Sequence, residues 1–344
     1  HASGITDSGT VTVGGDLAAT TDAGNGVINM DTLAVDGSIA LVTDGNGAAT
    51  VVNDAAIEFA ASTVRGALTA TATTGDITDS GTLTITGASI FTTRVGGSNI
   101  VLDSSANAFA AAVTMKADTG GDETFGNITF VDSAAVKLHS SAGTNGDLFI
   151  DAGTDLAVGG NLSITATTGN ITQGSEVAVG GTTTLVTSAN DATITLNDAD
   201  NAFTGALTIT TNDNSGTDAD VIIDGGTTAL IIAASTIDGD LTLTSGATAG
   251  ITDTGTVTVG GDLAATTDAG NGVIDMDQLA VDGSIALVTN GNGAAIVVND
   301  AGLNFAASTV RGALTATATT GDITDSGTLT ITGASIFTTR VGGS

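Results

Sequence analysis

In Phe203-Thr204-Gly205-Ala206-Leu207-Thr208-Ile209-Thr210, apolar and polar residues alternate one by one. Phe203, Leu207 and Ile209 share one face with Gly205, and the threonines take the other. That is the period of a β-strand, not of a helix. A glycine on the apolar face calls for a bend or a close backbone approach, since both need a missing Cβ.

The same grammar returns along the whole chain. It reads VGGDLAATT from Val13, VDGSIALVT from Val35, VRGALTATA from Val64, ITGASIFTT from Ile85, VGGNLSITA from Val158, VGGTTTLVT from Val179 and IDGDLTLTS from Ile237. It restarts at Val259, Val281, Val310 and Ile331. A shorter strand follows in Gly75-Asp76-Ile77-Thr78, Gly126-Asn127-Ile128-Thr129 and Gly169-Asn170-Ile171-Thr172. Turn clusters such as Asp22-Ala23-Gly24-Asn25-Gly26 and Asp44-Gly45-Asn46-Gly47 stand between strands. The motif recurs about every 22 residues, a period that signals a solenoid. A longer repeat overlies the short one. Residues 4–98 return as 250–344 with eight differences, and 59–98 return unchanged as 305–344.

These periods predict an all-β fold: a β-solenoid of about 15 coils of roughly 22 residues, running as one continuous body over 1–344. Stacking would bury Val on Val, Ile on Ile and Phe on Ala in a narrow core, about 4.8 Å per coil. Composition agrees. The chain has 344 residues, 49 Gly and no Pro, Cys, Trp or Tyr. Proline would delete a ladder hydrogen bond in a central strand. A β-sandwich array would need longer strands and domains of about 100 residues.

The series V-x-G-x-L-x-I/A-T followed by T-G-D/N-I-T, in the residues quoted above, resembles the coils of filamentous-haemagglutinin-type proteins. These are giant secreted bacterial surface proteins built of β-strand repeats. The resemblance covers essentially the whole chain and rests on repeat grammar. It implies a right-handed parallel β-helix, exported to the cell surface or beyond, serving as adhesin, fibre or stalk.

Charge and residue types set limits on function. Six Lys and Arg against 37 Asp and Glu give a net charge of −31, so nucleic acid is excluded as a partner. No apolar run is long enough for a transmembrane segment. The chain opens on His1 without an initiating Met or a signal peptide, and we expect a processed or excised segment. No enzyme is expected and no catalytic residue is assigned. His139 lies in the alternating stretch Val136-Lys137-Leu138-His139 and is read as facing solvent, while Lys116, Lys137, Arg65 and Arg94 are scattered. Carboxylates paired for glycan hydrolysis would make the chain a polysaccharide-active β-helix enzyme, but no pair is singled out.

Calcium is the one cofactor weighed. Asp198 and Asp200 in one turn, and Asp213, Asp218 and Asp220 in the next, form oxygen-rich clusters of the kind that bind calcium. Neither matches an EF-hand, and the competing reading is that Asp makes turns and keeps rods soluble. Threonine arrays at Thr69, Thr71 and Thr73, at Thr82, Thr84 and Thr86, and at Thr208 and Thr210 raise ice binding against ordinary outward strand threonine. Sequons at Asn127, Asn161 and Asn170 are read as turn residues before glycan acceptors.

The preferred expectation is a structural protein: the shaft of an extracellular fibre or surface filament. An adhesin stalk that binds a cell surface or glycan is the alternative. Its partners would be further copies of itself, joined covalently in tandem or stacked head to tail.

Overall fold

The structure is a computed structural model that describes residues 3–22, 24–117, 126–139, 147–150, 157–212 and 219–341. They fall in two compact units, His1–Thr168 and Gly169–Ser344. Each unit by itself is a β-solenoid, and together they hold about 14 turns about 22 residues apart. Among the described residues there is no helix, and the strand pairings are parallel.

One turn shows how the motif folds. Leu68–Ala72 forms one wall of the coil. The opposite wall is made of two short strands, Ile77–Asp79 and Leu83–Ile85. The chain then returns, and Ser89–Thr93 lies on Leu68–Ala72 in the register Leu68↔Ser89, Ala70↔Phe91, Ala72↔Thr93. On the other wall Ile57, Ile77, Ile100 and Ile128 stack in one file. Like-on-like stacking is therefore present, and the bulky Phe91 is accommodated over the small Ala70, as the motif led us to expect.

The structure corrects the reading of the motif as a single strand. Phe203 closes one short strand, Leu207 opens the next, and Gly205 lies between them at a corner. The close approach is there too. Gly87 donates its N–H to the Gly66 carbonyl at 3.0 Å, and Gly66 donates to Gly47 at 2.9 Å. A Cβ on Gly87 would stand 2.4 Å from the Gly66 carbonyl carbon. Most strands are thereby short, two to five residues.

A fused strand breaks the pattern in each sequence copy. Ile28–Val35 fuses the paired strands into one of eight residues, with a register shift between Met30 and Leu33 against the following coil. After it the walls exchange roles: the single strand Ile39–Val42 receives the short strands Ile57–Phe59 and Ser62–Val64. The second sequence copy does the same at Ile274–Val281, with the shift between Met276 and Leu279.

The core lies between the two walls, which both send side chains into it. Ile39, Leu41, Val51, Phe59, Leu68, Ile77, Leu83 and Phe91 are all fully buried. Phe59, Phe91 and Phe109 meet edge to face at 6.1 and 6.2 Å between centroids, and Phe130 follows at 5.2 Å. Such contacts add about 0.5–1.5 kcal/mol each beyond area burial.

Candidate functional site

At a coil corner the strand ladder stops, yet each backbone N–H still needs an acceptor. Asparagine and aspartate side chains supply it. Asp220 accepts the N–H of Asp240 at 2.8 Å, Asp240 that of Asp262 at 2.7 Å, and Asp262 that of Ser284 at 2.6 Å. In the other unit Asp76 accepts from Asn99, Asn99 from Asn127 and Asn127 from Asn161, at 2.7–2.8 Å. Each member occupies the same corner one coil later, so the file runs along the axis beside the strands. The sequon residues Asn127 and Asn161 belong to this file. Asn170 accepts the Thr193 N–H at 2.9 Å.

A second set is buried. Asn53 is 1% exposed, accepts the Val35 N–H at 2.9 Å and donates to the carbonyls of Val35 and Ala56. Asn299 repeats this with Val281 and Gly302. Asn107 accepts from Leu83 and donates to the Asp79 carboxylate, both at 2.8 Å. Asn201 accepts from Val177 and donates to Leu196 and Asp224. Asparagine suits these corners because one side chain both donates and accepts.

Two of the calcium candidates, Asp198 and Asp220, are engaged in the same way. Asp198 accepts the N–H of Asp200 at 3.0 Å, closing its own turn. Asp220 heads the ladder just described. Asp213 and Asp218 lie outside the described residues. Among the described residues no group of three or more His, Asp or Glu is placed to hold a metal ion.

Stacking also changes ionisation. Burial is the main influence on Asp79, Asp132, Asp224 and Asp253, and holds each above the usual carboxylate value of 3.8 despite hydrogen bonds that favour the anion. Asp275 is raised by burial and by the neighbouring Asp277. Asp7 is the counterpart of Asp253 in the first sequence copy. Burial acts most strongly on Asp7 and raises it, but bonds from the Thr32 N–H and hydroxyl and from the Asp31 N–H outweigh it. The net result lies below 3.8.

Grooves lie on the surface of the described residues. One of about 480 Å³ is lined by Asp36, Glu58 and Asp76 among small residues. Its counterpart of about 280 Å³ is lined by Asp282, Asn304 and Asp322. The copies differ here at three consecutive positions, 56–58 against 302–304. No His, Lys or Arg lines either groove. Outward threonines do not make an unbroken array: across coils the rank reads Thr50, Thr69, Ile90, Thr114. The strand position of His139 is Val136–His139, and its side chain lies outside the described residues.

One class of polar residue escaped the sequence reading. Thr21, Thr43, Thr187, Thr267 and Thr289 are buried at 5% or less, and each hydroxyl donates to a carbonyl four or five residues on. They close the turn after the single-strand wall. The alternation itself carried the signal, because Ile39, Leu41 and Thr43 share one face.

A family model described as repeats of unknown function (DUF5649) matches residues 45–116, 125–210 and 291–344, more than half of the chain. No curated protein and no solved structure matches it.

Proposed function

We propose, on the premise that the chain belongs to this family of repeats, that it is a structural protein forming the shaft of an extracellular fibre or cell-surface filament. The observation that carries the reading is the direction of the hydrogen bonds. In each unit backbone N–H groups donate along the axis, some to the following coil and some to the preceding one, and the Asx files add axial bonds at the corners. Load along the axis is thus shared by many parallel main-chain bonds. The bonds are individually modest, about 1 kcal/mol net, and collectively stiff. Stacked repeats need their neighbours to bury their apolar edges, so stability accrues with coil number. The likeness to filamentous-haemagglutinin-type coils supports export and a place at the bacterial surface. The negative charge keeps neighbouring shafts apart, more strongly at low salt.

The location of the segment on native cells tests this. Gold-labelled antibody against the segment should decorate filaments on the outside of intact native cells. Label confined to the cell interior would overturn the proposal. Binding of the segment itself to a glycan array would favour the adhesin reading instead.

A further inference from the structure

We infer that Asn46 and Asn292, which hold the same turn in the two sequence copies, are sites of spontaneous deamidation, and that coil stacking shields the other Asn-Gly pairs. An asparagine followed by glycine is open to this reaction because glycine has no side chain to hinder approach to its own nitrogen. Five such pairs lie among the described residues: Asn25-Gly26, Asn46-Gly47, Asn271-Gly272, Asn290-Gly291 and Asn292-Gly293. All five asparagines are exposed, so access to water does not sort them.

What sorts them is the freedom of the side chain to fold its Cγ onto the glycine nitrogen. Three are tethered to a neighbouring coil. Asn25 Oδ1 accepts the Asn46 N–H, and Asn271 Oδ1 accepts the Asn292 N–H, both at 2.7 Å. Both residues are also fixed in the left-handed region, at φ 59° and 68°. Asn290 donates through Nδ2 to the Asp268 carbonyl at 2.6 Å. Asn46 and Asn292 enter these contacts through their backbone alone, and among the described residues neither side chain has a hydrogen-bond partner. The glycine nitrogens do not separate the sites. Gly47 donates to the Asp44 carbonyl at 3.0 Å and Gly293 to that of Asn290 at 2.9 Å, each closing a β-turn, but Gly272 donates likewise to Ala269 at 3.3 Å.

The reaction needs only water. A solvent base takes the glycine N–H proton, the nitrogen bonds to Cγ, and the Cγ–Nδ2 bond breaks. The leaving nitrogen takes up a proton and departs as ammonia. Water then opens the succinimide ring at Cγ to give aspartate, or at the main-chain carbonyl to give isoaspartate. Nothing is oxidised or reduced: asparagine and water become an acid and ammonia. The aspartate form leaves the backbone unchanged. The turn accepts a carboxylate, since the first copy holds Asp44 where the second has Asn290. Each event adds one negative charge to a chain already at −31. The inference goes beyond the shaft proposal and needs only the stacked-coil fold. Its failure would leave the cell-surface labelling result untouched.

Mass mapping of the full chain decides it. The folded protein, and the same protein in urea, are held at mildly alkaline pH and then digested with an acid protease. Conversion of amide to acid is read as a mass gain, with fragmentation to separate Asn290 from Asn292. In the folded protein we expect Asn46 and Asn292 to react at least about fivefold faster than Asn25, Asn271 and Asn290, the rate factor for releasing one ordinary hydrogen bond. In urea the five rates should converge. A folded-state rate at Asn25, Asn271 or Asn290 equal to that at Asn46 and Asn292 would overturn the inference. The same order of rates in urea would trace it to local sequence and overturn it too. So would an absence of reaction at all five pairs in the folded protein while all five react in urea, because the turn bond of the glycine would then be the barrier.

Discussion

Asn53 holds Val35 by both of its backbone groups: its side-chain oxygen accepts the Val35 N–H at 2.9 Å, and its amide donates to the Val35 carbonyl at 3.0 Å. The two residues belong to successive coils, beside the register shift at Met30 and Leu33. The side chain fills a gap that the shift leaves in the ladder. Asn53→Ala would strand a buried donor and a buried acceptor, each costing about 1–3 kcal/mol. We expect a loss of about 2–4 kcal/mol in urea denaturation, with faster exchange at the Val35 amide. Asn53→Asp keeps the acceptor but buries a charge and loses the donors, so its defect should shrink on acidification. Unchanged Val35 exchange in Asn53→Ala would show that the bond contributes nothing.

Glycine at the corner allows a second test, because one motif position occurs both covered and open. A Cβ on Gly87 would be 2.4 Å from the Gly66 backbone, while one on Gly15 would meet nothing within 4 Å. Gly87→Ala must displace the neighbouring coil and should cost several kcal/mol, in the range of overpacked cores or more. Gly15→Ala should be neutral or stabilise by about 0.4–1 kcal/mol through the unfolded chain. Similar melting shifts in the two variants would mean that coil stacking is not what the glycine serves.

These cases show what the sequence made legible and what it did not. The coil period, the parallel stacking and the Phe91-over-Ala70 contact follow from alternation and repeat spacing, since one periodicity governs them all. The splitting of the motif at Gly205 was not legible, because a kinked pair of strands preserves the same alternation as a straight one. Nor were the roles of Asn53, Asn107 and Asn201 legible. Their burial comes from the coil beside them, and no local pattern in one coil reports it. The exposed counterparts of covered residues, such as Phe337 and Phe91, are identical in sequence and differ only in neighbours.

Calcium offers a third test. Asp198 and Asp220 already accept backbone N–H groups, and no group of three ligands exists among the described residues. Calcium and magnesium should therefore raise the melting temperature equally, by screening a chain of net charge −31. A larger rise with calcium than with magnesium at equal ionic strength would point to a specific site, and Asp213→Asn and Asp218→Asn would be the variants to locate it.

The last prediction concerns pH. A carboxyl held above its unfolded value binds its proton more tightly in the folded state. As pH falls from neutrality toward 3.8, Asp79, Asp132, Asp224, Asp253 and Asp275 take up protons in the native protein first. Stability therefore rises across that window, and the gain is complete once the unfolded chain titrates as well. Asp7 and Asp16 act in the opposite sense. Hydrogen bonds from Ser38 hold Asp16 below 3.8, as those from Thr32 and Asp31 do Asp7. Their contribution is intact above 3.8 and is lost as pH falls through their lower folded values. Relief of charge repulsion adds to the first trend. The melting temperature, followed at constant ionic strength, should climb below neutrality, peak at or just above the ordinary carboxylate value and then fall. Asp132→Asn removes one of the titrating groups and should flatten the rising limb. A melting temperature that declines steadily from pH 7 downward would mean that burial in the stacked coils does not govern these carboxyls.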